Sequence, residues 1–204
     1  EEAFNNFKKL GFKHMGFSQN FEDLQPRVLC RIELKDTYNE TLETFSKSTK
    51  KNIAKTYDMG VRVKTVDTSK MNEFVKLLED TAVNKKFIIR PASYYKKMVD
   101  LMSDYVTLYI AYIDTNLYYD YVWNTLENTK KELEILEMQM KKINIGDKIK
   151  RHHEELESKI EKLSKQLEEA KSLRKGNDEI NIGALMSVFT GDEGITFMSG
   201  TASS

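Results

Sequence analysis

The chain has 204 residues, of which 32 are Lys or Arg and 32 are Asp or Glu, so its formal net charge is zero. This balance excludes the strong global positive field of a general nucleic-acid-binding protein, while local basic patches remain compatible with it. The length suits one hydrophobic core, alone or with an appendage. A single cysteine, Cys30, excludes an internal disulfide and a four-cysteine metal site and suits a reducing cytosol.

The first hundred residues alternate between predicted helices and strands. Apolar spacing and turn residues predict these elements: a helix over 1–10 ending at Gly11, a strand or turn over 12–17, a strand over 27–34, a helix over 41–57, a strand over 61–66, a helix beginning at Ser69, and a helix over 94–102 capped by Ser93. Cys30 falls within the predicted strand over 27–34, where it is expected to be a small buried residue.

The second half begins and ends with strands. Residues 105–113 are rich in β-branched and aromatic side chains, which predicts a strong strand. Residues 180–190 and 195–199 predict two further strands, and the segment from Gly191 to Gly194 between them is typical of a hairpin turn.

Two apolar heptad stripes lie between these strands. Their members alternate four and three residues apart, as helices with one apolar seam require. They are Val122, Leu126, Thr129, Leu133, Leu136, Met140 and Ile143, followed by Ile149, His153, Leu156, Ile160, Leu163, Leu167 and Ala170. A break over 144–147 separates the stripes, so the pattern predicts an antiparallel coiled-coil helical hairpin.

The hairpin interrupts strand-like sequence, which makes it an insertion. We therefore predict a mixed α/β (α+β) domain over 1–115, an arm over 116–176 and return strands of the same domain over 177–204. The arm is equally compatible with a rigid spacer, a dimerisation element or, near its basic tip, an RNA contact. The abrupt ends of the sequence predict a fragment of a longer protein.

A basic segment occupies the helix predicted over 41–57. Four lysines, Lys47, Lys50, Lys51 and Lys55, occur in ten residues without a compensating carboxylate. Three of them are spaced by four and therefore share one helix face, where they could contact phosphates. A solvated helix face is the structural alternative.

The segment 84–95 is the most site-like part of the sequence. Arg90 precedes Tyr94 by four residues at the start of a predicted helix. A guanidinium binds phosphate or carboxylate as a forked donor, and a helix N-terminus adds partial positive charge. The two residues are therefore candidates for anion binding, with a surface ion pair and a core aromatic as the alternatives.

Other chemistry is not indicated. The sequence has neither a phosphate-binding P-loop nor a dinucleotide fingerprint, so no cofactor is expected. His152 and His153 are adjacent on a helix and point to different sides, so exposed arm histidines rather than a metal site are expected. No apolar run approaches the ~20 residues of a membrane span.

The order of these motifs resembles the Fem-type peptidoglycan aminoacyl transferases. The resemblance rests on the inserted hairpin and on five segments in sequence: Leu10 to Phe17, Gln25 to Arg27, Lys50 to Val63, Leu108 to Asp114 and Ser199 to Ser204. It implies an acetyltransferase-like (GNAT-like) mixed sheet, here incomplete, with the coiled-coil arm inserted in it.

The resemblance also implies a function. Members transfer Gly, Ala or Ser from an aminoacyl-tRNA to the stem-peptide lysine of a lipid-linked or UDP-linked muramyl pentapeptide precursor, which builds the interpeptide bridge. A cytoplasmic enzyme is implied, in peripheral contact with the inner membrane face, and a homo- or heterodimer is left open. As a fragment, the chain by itself is expected to be inactive.

Two residues carry over from the family pattern. Arg90 and Tyr94 match its precursor-binding Arg and Tyr, while the family lysine implicated near the transferring ester falls after Ser204, so the catalytic residues stay unassigned. The arm is compared with the tRNA-binding arms of seryl-tRNA synthetases. The alternative function is a non-catalytic binding or scaffolding module that uses the arm for protein contacts.

Overall fold

A computed structural model of the chain describes residues 2–14, 30–86, 88–141 and 146–203. The helices are α1 (Glu2–Lys9), α2 (Tyr38–Glu43), α3 (Lys47–Asp58), α4 (Met71–Lys85), α5 (Ala92–Leu101), α6 (Thr115–Met140) and α7 (Asp147–Gly176). The strands are β1 (Val61–Val66), β2 (Val106–Asp114), β3 (Glu179–Thr190) and β4 (Glu193–Thr201).

The chain separates into two compact units, Glu1–Lys50 and Lys51–Ser204. The first contains α1, α2 and the beginning of α3. The second contains the remaining elements, including the whole sheet. The division reflects how compact each part of the chain is. It does not test the three-part organisation expected from the sequence, which stays a prediction.

In the first unit, the strand expected over 27–34 is wrong where the structure describes it. Residues 30–34 have no regular secondary structure and are exposed, and 27–29 lie outside the described residues. Cys30, expected to be buried, is likewise exposed. No described strand pairs with this segment, so its apolar alternation has neither a ladder nor a layer to pack against.

The helix expected over 41–57 is two helices. The first ends at Glu43, with Thr44 as its C-cap. The Ser46 hydroxyl then accepts the Thr49 backbone N–H at 3.2 Å, which begins α3. Capping by the Ser46 side chain competes with continuation of the first helix. The prediction of one helix used apolar spacing alone, which contains no information about such caps.

Two helix starts also differ from expectation. The Asp67 side chain, rather than Ser69, caps the short 3₁₀ turn before α4, accepting the Ser69 backbone N–H at 2.7 Å. Helix α5 begins at Ala92, with Pro91 instead of Ser93 as its N-cap. The fixed φ of proline suits an extended residue that leads into a helix.

The second unit is built on a four-stranded antiparallel sheet in the order β1-β2-β3-β4. The strands predicted from the sequence over 61–66, 105–113, 180–190 and 195–199 are confirmed, with small shifts at their ends. Irregularities between Ala111 and Tyr112 and between Met186 and Ser187 interrupt the register.

One face of the sheet packs against α4 and α5. This core contains Met71, Phe74, Val75, Leu77, Leu78, Tyr95, Val106, Leu108, Ala184 and Met186. Burying these side chains removes large apolar areas from water, the main stabilising contribution in such a layer. The opposite sheet face, which carries Tyr109 and Leu185, is called the outer face below.

Helices α6 and α7 pack against each other and run antiparallel. Their contact buries Val122, Leu126, Leu163 and Leu167, all members of the predicted heptad stripes. The arm predicted from the sequence is thus an antiparallel helix pair between β2 and β3. Its coiled-coil supercoil and the acetyltransferase-like topology of the domain stay predictions.

Buried polar contacts hold the base of the arm, the end next to the sheet. The fully buried Thr115 hydroxyl donates to the Asn177 carbonyl at 2.7 Å, and the Thr115 N–H donates to the Asp178 carbonyl at 3.0 Å. The Asp114 carboxylate caps α6 by accepting two backbone N–H groups.

None of the helices in the described part of the chain combines the length and the apolar character that a membrane-spanning segment needs.

Candidate functional site

The structure brings Arg90 and Tyr94 together on the surface. The guanidinium carbon of Arg90 lies 5.8 Å from the centroid of the Tyr94 ring, within the range of a cation–π contact. Arg90 is exposed and Tyr94 is 48% exposed. A guanidinium and a phenol are thus presented side by side to solvent, an arrangement able to bind phosphate or carboxylate.

A neighbouring residue, Tyr95, anchors this pair. Tyr95 is 2% exposed in the core, and its hydroxyl accepts the Arg90 backbone N–H at 3.3 Å. Its ring also meets the Tyr94 ring edge to face, with centroids 5.4 Å apart. Sequence reasoning gave Tyr95 no role, although its place beside Tyr94 at the start of an amphipathic helix was the available signal.

The first turn of α5 adds to the positive character of this surface. It contains no acidic residue, and no side chain caps it. The unpaired N–H groups of a helix start carry partial positive charge, which favours a nearby anion. We call Arg90, Tyr94 and this first turn the Arg90 surface.

The four candidate lysines lie on α3. Lys47, Lys51 and Lys55 are exposed, and within the described residues none of them forms an ion pair. Lys50 differs, because its ammonium lies 2.7 Å from the Glu43 carboxylate. The helix therefore offers three unneutralised cations spaced by four residues, and the fourth is already paired.

Sequence reasoning missed a cavity on the outer face of the sheet. It has a volume of about 520 Å³ and opens to solvent. Its lining consists of Val63, Tyr109, Ala111, Gly183, Ala184, Leu185, Ser187, Ser199, Gly200 and Thr201. Tyrosine is the only titratable residue type among these residues, so the cavity offers apolar contact and hydroxyl groups but no charge. Residues far apart in sequence form it, and only the strand register brings them together.

The described residues contain no cluster of three or more His, Cys, Asp or Glu side chains able to hold a metal ion. His152 and His153 lie near different carboxylates, including Glu132 at 3.6 Å and Glu137 at 3.4 Å on the facing helix. His152 is exposed as expected. His153 is not, because it occupies a seam position between the helices, where its side chain is 20% exposed.

Known proteins are similar to this chain in sequence or in fold. The sequence model of the FemAB family matches residues 1–204. Aminoacyltransferase FemA of Staphylococcus epidermidis is 26% identical over 202 residues, which cover 98% of this chain and 48% of that relative. Aminoacyltransferase FemA of Staphylococcus aureus (strain MW2) is 26% identical over 179 residues, which cover 86% of this chain and 43% of that relative.

A solved structure has the same fold. The crystal structure of FemX matches with a TM-score of 0.63 and 20% sequence identity, covering 98% of this chain and 52% of that one. This chain is therefore an α+β protein with an antiparallel sheet, and its fold is similar to that of FemX. The chain belongs to the FemAB family. It spans about half the length of the curated relatives that it matches.

Proposed function

We propose that this chain is part of an aminoacyltransferase of peptidoglycan synthesis. The enzyme moves glycine, alanine or serine from an aminoacyl-tRNA to the stem-peptide lysine of a muramyl pentapeptide precursor, which builds the interpeptide bridge. The match of the FemAB model to all 204 residues carries this proposal. Two FemA relatives that are named aminoacyltransferases support the reaction class.

The reaction is an aminolysis of an ester. The deprotonated lysine amine attacks the ester carbonyl, the new amide C–N bond forms and the ester C–O bond breaks. The tRNA ribose leaves as a hydroxyl, which takes up the proton lost by the amine. Such a step requires a base for the amine and donors for the tetrahedral oxyanion. We assign neither role to a described residue.

In this proposal the Arg90 surface binds the precursor. The Arg90 guanidinium forms a forked contact with a phosphate or peptide carboxylate, and the Tyr94 hydroxyl adds a hydrogen bond. Support comes from the exposure of both side chains and from the 5.8 Å contact that holds them together. The buried Tyr95 fixes the backbone of Arg90, which reduces the conformational entropy lost on binding.

The proposal gives aminoacyl-tRNA two further contacts. Lys47, Lys51 and Lys55 on α3 contact its phosphates, with Lys50 in a smaller role because of its ion pair with Glu43. The arm formed by α6 and α7 contacts the tRNA elsewhere. The enzyme works in the cytoplasm at the inner membrane face. A chain of this length, half of its relatives, is expected to be inactive alone.

Substitution of Arg90 tests the precursor site. In the full-length gene product, we expect Arg90→Ala to weaken binding of the soluble UDP-linked pentapeptide about 10- to 100-fold, as loss of a charged hydrogen-bonding group implies. Arg90→Lys should recover part of the affinity, since it keeps the charge but not the forked geometry. Isothermal titration calorimetry measures both.

Lys97→Ala is the matched control, because Lys97 is an exposed cation on the same helix, α5. Its affinity for the precursor should equal that of the wild-type protein. If Arg90→Ala also binds with wild-type affinity, the Arg90 assignment is wrong.

Transfer of a labelled amino acid from aminoacyl-tRNA to the precursor tests the proposed reaction. The absence of transfer from any aminoacyl-tRNA would overturn the proposed reaction.

A further inference from the structure

A row of aromatic and cationic side chains, partly exposed to solvent, lies near the base of the arm. Tyr119 and Trp123, four residues apart on α6, are stacked with ring centroids 6.4 Å apart and an interplanar angle of 17°. The guanidinium carbon of Arg174, from α7, lies 4.9 Å from the centroid of the Tyr119 ring. We call these three residues the aromatic ladder.

The packing of the arm does not account for the outer end of this ladder. Tyr119 packs partly against the Val122 cluster between the helices, which fixes the ladder in place. Trp123 is not among the residues packed there and is 44% exposed. A large indole ring is thus held in a defined orientation, with much of its surface open to solvent.

The charges on the two helices near the ladder are mixed, since the exposed Asp120, next to Tyr119 in sequence, forms no ion pair within the described residues, whereas other carboxylates do. The flanking carboxylates Glu127 and Glu168 are each paired with a lysine, at 3.0 and 2.7 Å. Arg174 and Lys175, in the last turn of α7, form no ion pair within the described part of the chain. The Arg174 guanidinium, which lies over the Tyr119 ring, is therefore a cation available to a phosphate, and Lys175 follows it in sequence.

We infer that the aromatic ladder binds unpaired RNA bases. One base stacks on the Trp123 ring, while Arg174 and Lys175 contact the adjoining phosphates. Sites for single-stranded nucleic acid combine these two elements, since every base has a π-face and every nucleotide has a phosphate. The inference rests on the proposed function, because it gives the aminoacyl-tRNA a site for the unpaired nucleotides of its acceptor end.

The sequence provides a direct probe, since Trp123 is the only tryptophan of the 204-residue chain. We expect a short single-stranded RNA to quench its fluorescence with saturation. An abasic oligonucleotide of the same length, which keeps the phosphates, should produce little quenching. Tyr119→Ala, which removes the ring that supports Trp123, and Arg174→Ala, which removes a phosphate contact, should each raise the dissociation constant by about 5-fold or more.

A labelled RNA followed by fluorescence anisotropy extends the test to Trp123→Ala, which has no intrinsic signal. Ile135→Ala is its matched control, because Ile135 is an apolar residue on the same helix and is 57% exposed. The control should bind RNA as the wild-type chain does. Circular dichroism should show equal helix content in both variants, since neither side chain belongs to the buried cluster of the arm.

The inference would be overturned by no quenching with RNA, by equal quenching with the abasic strand, or by equal RNA affinity in Trp123→Ala and Ile135→Ala. If the wild-type chain self-associates and binds no RNA, and Trp123→Ala abolishes the self-association, the surface binds protein instead of RNA. Transfer assays on the full-length gene product separate this inference from the proposed function. Wild-type transfer with an unchanged KM for aminoacyl-tRNA in Arg174→Ala would refute only the ladder.

Discussion

At the scale of single residues, close backbone approach constrains the sheet at Gly200. A Cβ atom placed there would lie 2.6 Å from the Leu77 carbonyl oxygen and 2.8 Å from the Leu78 Cα. Next to it, the Thr201 N–H donates to the Thr81 hydroxyl at 2.7 Å. Strand β4 can lie this close to α4 only because position 200 has no side chain.

We expect Gly200→Ala to lower the free energy of unfolding by about 1–3 kcal/mol, because the atoms in its way belong to the α4 backbone and cannot rotate aside. Urea unfolding followed by circular dichroism measures the change. Gly183→Ala on β3 is the control, since its nearest neighbour would be 3.5 Å away. The control should change stability by less than about 1 kcal/mol. Equal effects of the two substitutions would contradict this account.

At the level of single helices, the lysines of α3 differ in whether an ion pair neutralises them. Lys50 is held by Glu43, while Lys47, Lys51 and Lys55 are exposed without an ion pair among the described residues. A cation already neutralised by the protein releases fewer counterions from RNA. The three unpaired lysines are therefore expected to carry most of the electrostatic contribution of this helix.

The salt dependence of tRNA binding tests this division. In the full-length gene product, substituting Lys47, Lys51 and Lys55 together by alanine should reduce the slope of log K against log salt by about two to three units. Lys50→Ala should change the slope by less than about one unit. Fluorescence anisotropy with labelled tRNA gives both slopes. A triple variant with the wild-type slope would remove α3 from the tRNA interface.

At the scale of the whole molecule, the arm and the sheet have separate buried clusters. The arm cluster around Leu126 and Leu163 shares no member with the sheet core around Phe74 and Met186. The ends of the arm meet at its base, where the Thr115 N–H donates to the Asp178 carbonyl. The sheet can therefore fold without the arm.

We expect a short glycine-rich linker in place of residues 117–175 to leave the sheet folded. Backbone amides of β2 and β3 should keep their protection from hydrogen exchange, while helical circular dichroism falls. In the full-length gene product, the same deletion should weaken use of aminoacyl-tRNA but spare precursor binding. Unfolding of the sheet would contradict the separation of the clusters. Unchanged kinetics with charged tRNA would refute a tRNA role for the arm.

Features with local causes were predictable from the sequence. The four strands follow from runs of β-branched and aromatic residues, and the helix pair follows from its heptad stripes. The proximity of Arg90 and Tyr94 also belongs here, because the two residues lie four positions apart on either side of a predicted helix start. The sequence could not show that the buried Tyr95 holds the Arg90 backbone.

Features that depend on distant partners became apparent only from the three-dimensional structure. The apolar alternation around Cys30 is typical of a strand, yet no described strand pairs with it. The cavity on the outer face and the aromatic ladder join residues that are tens of positions apart. Periodicity determines which face of an element is apolar. The register between elements determines what that face meets, because each contact requires a second segment that local sequence does not specify.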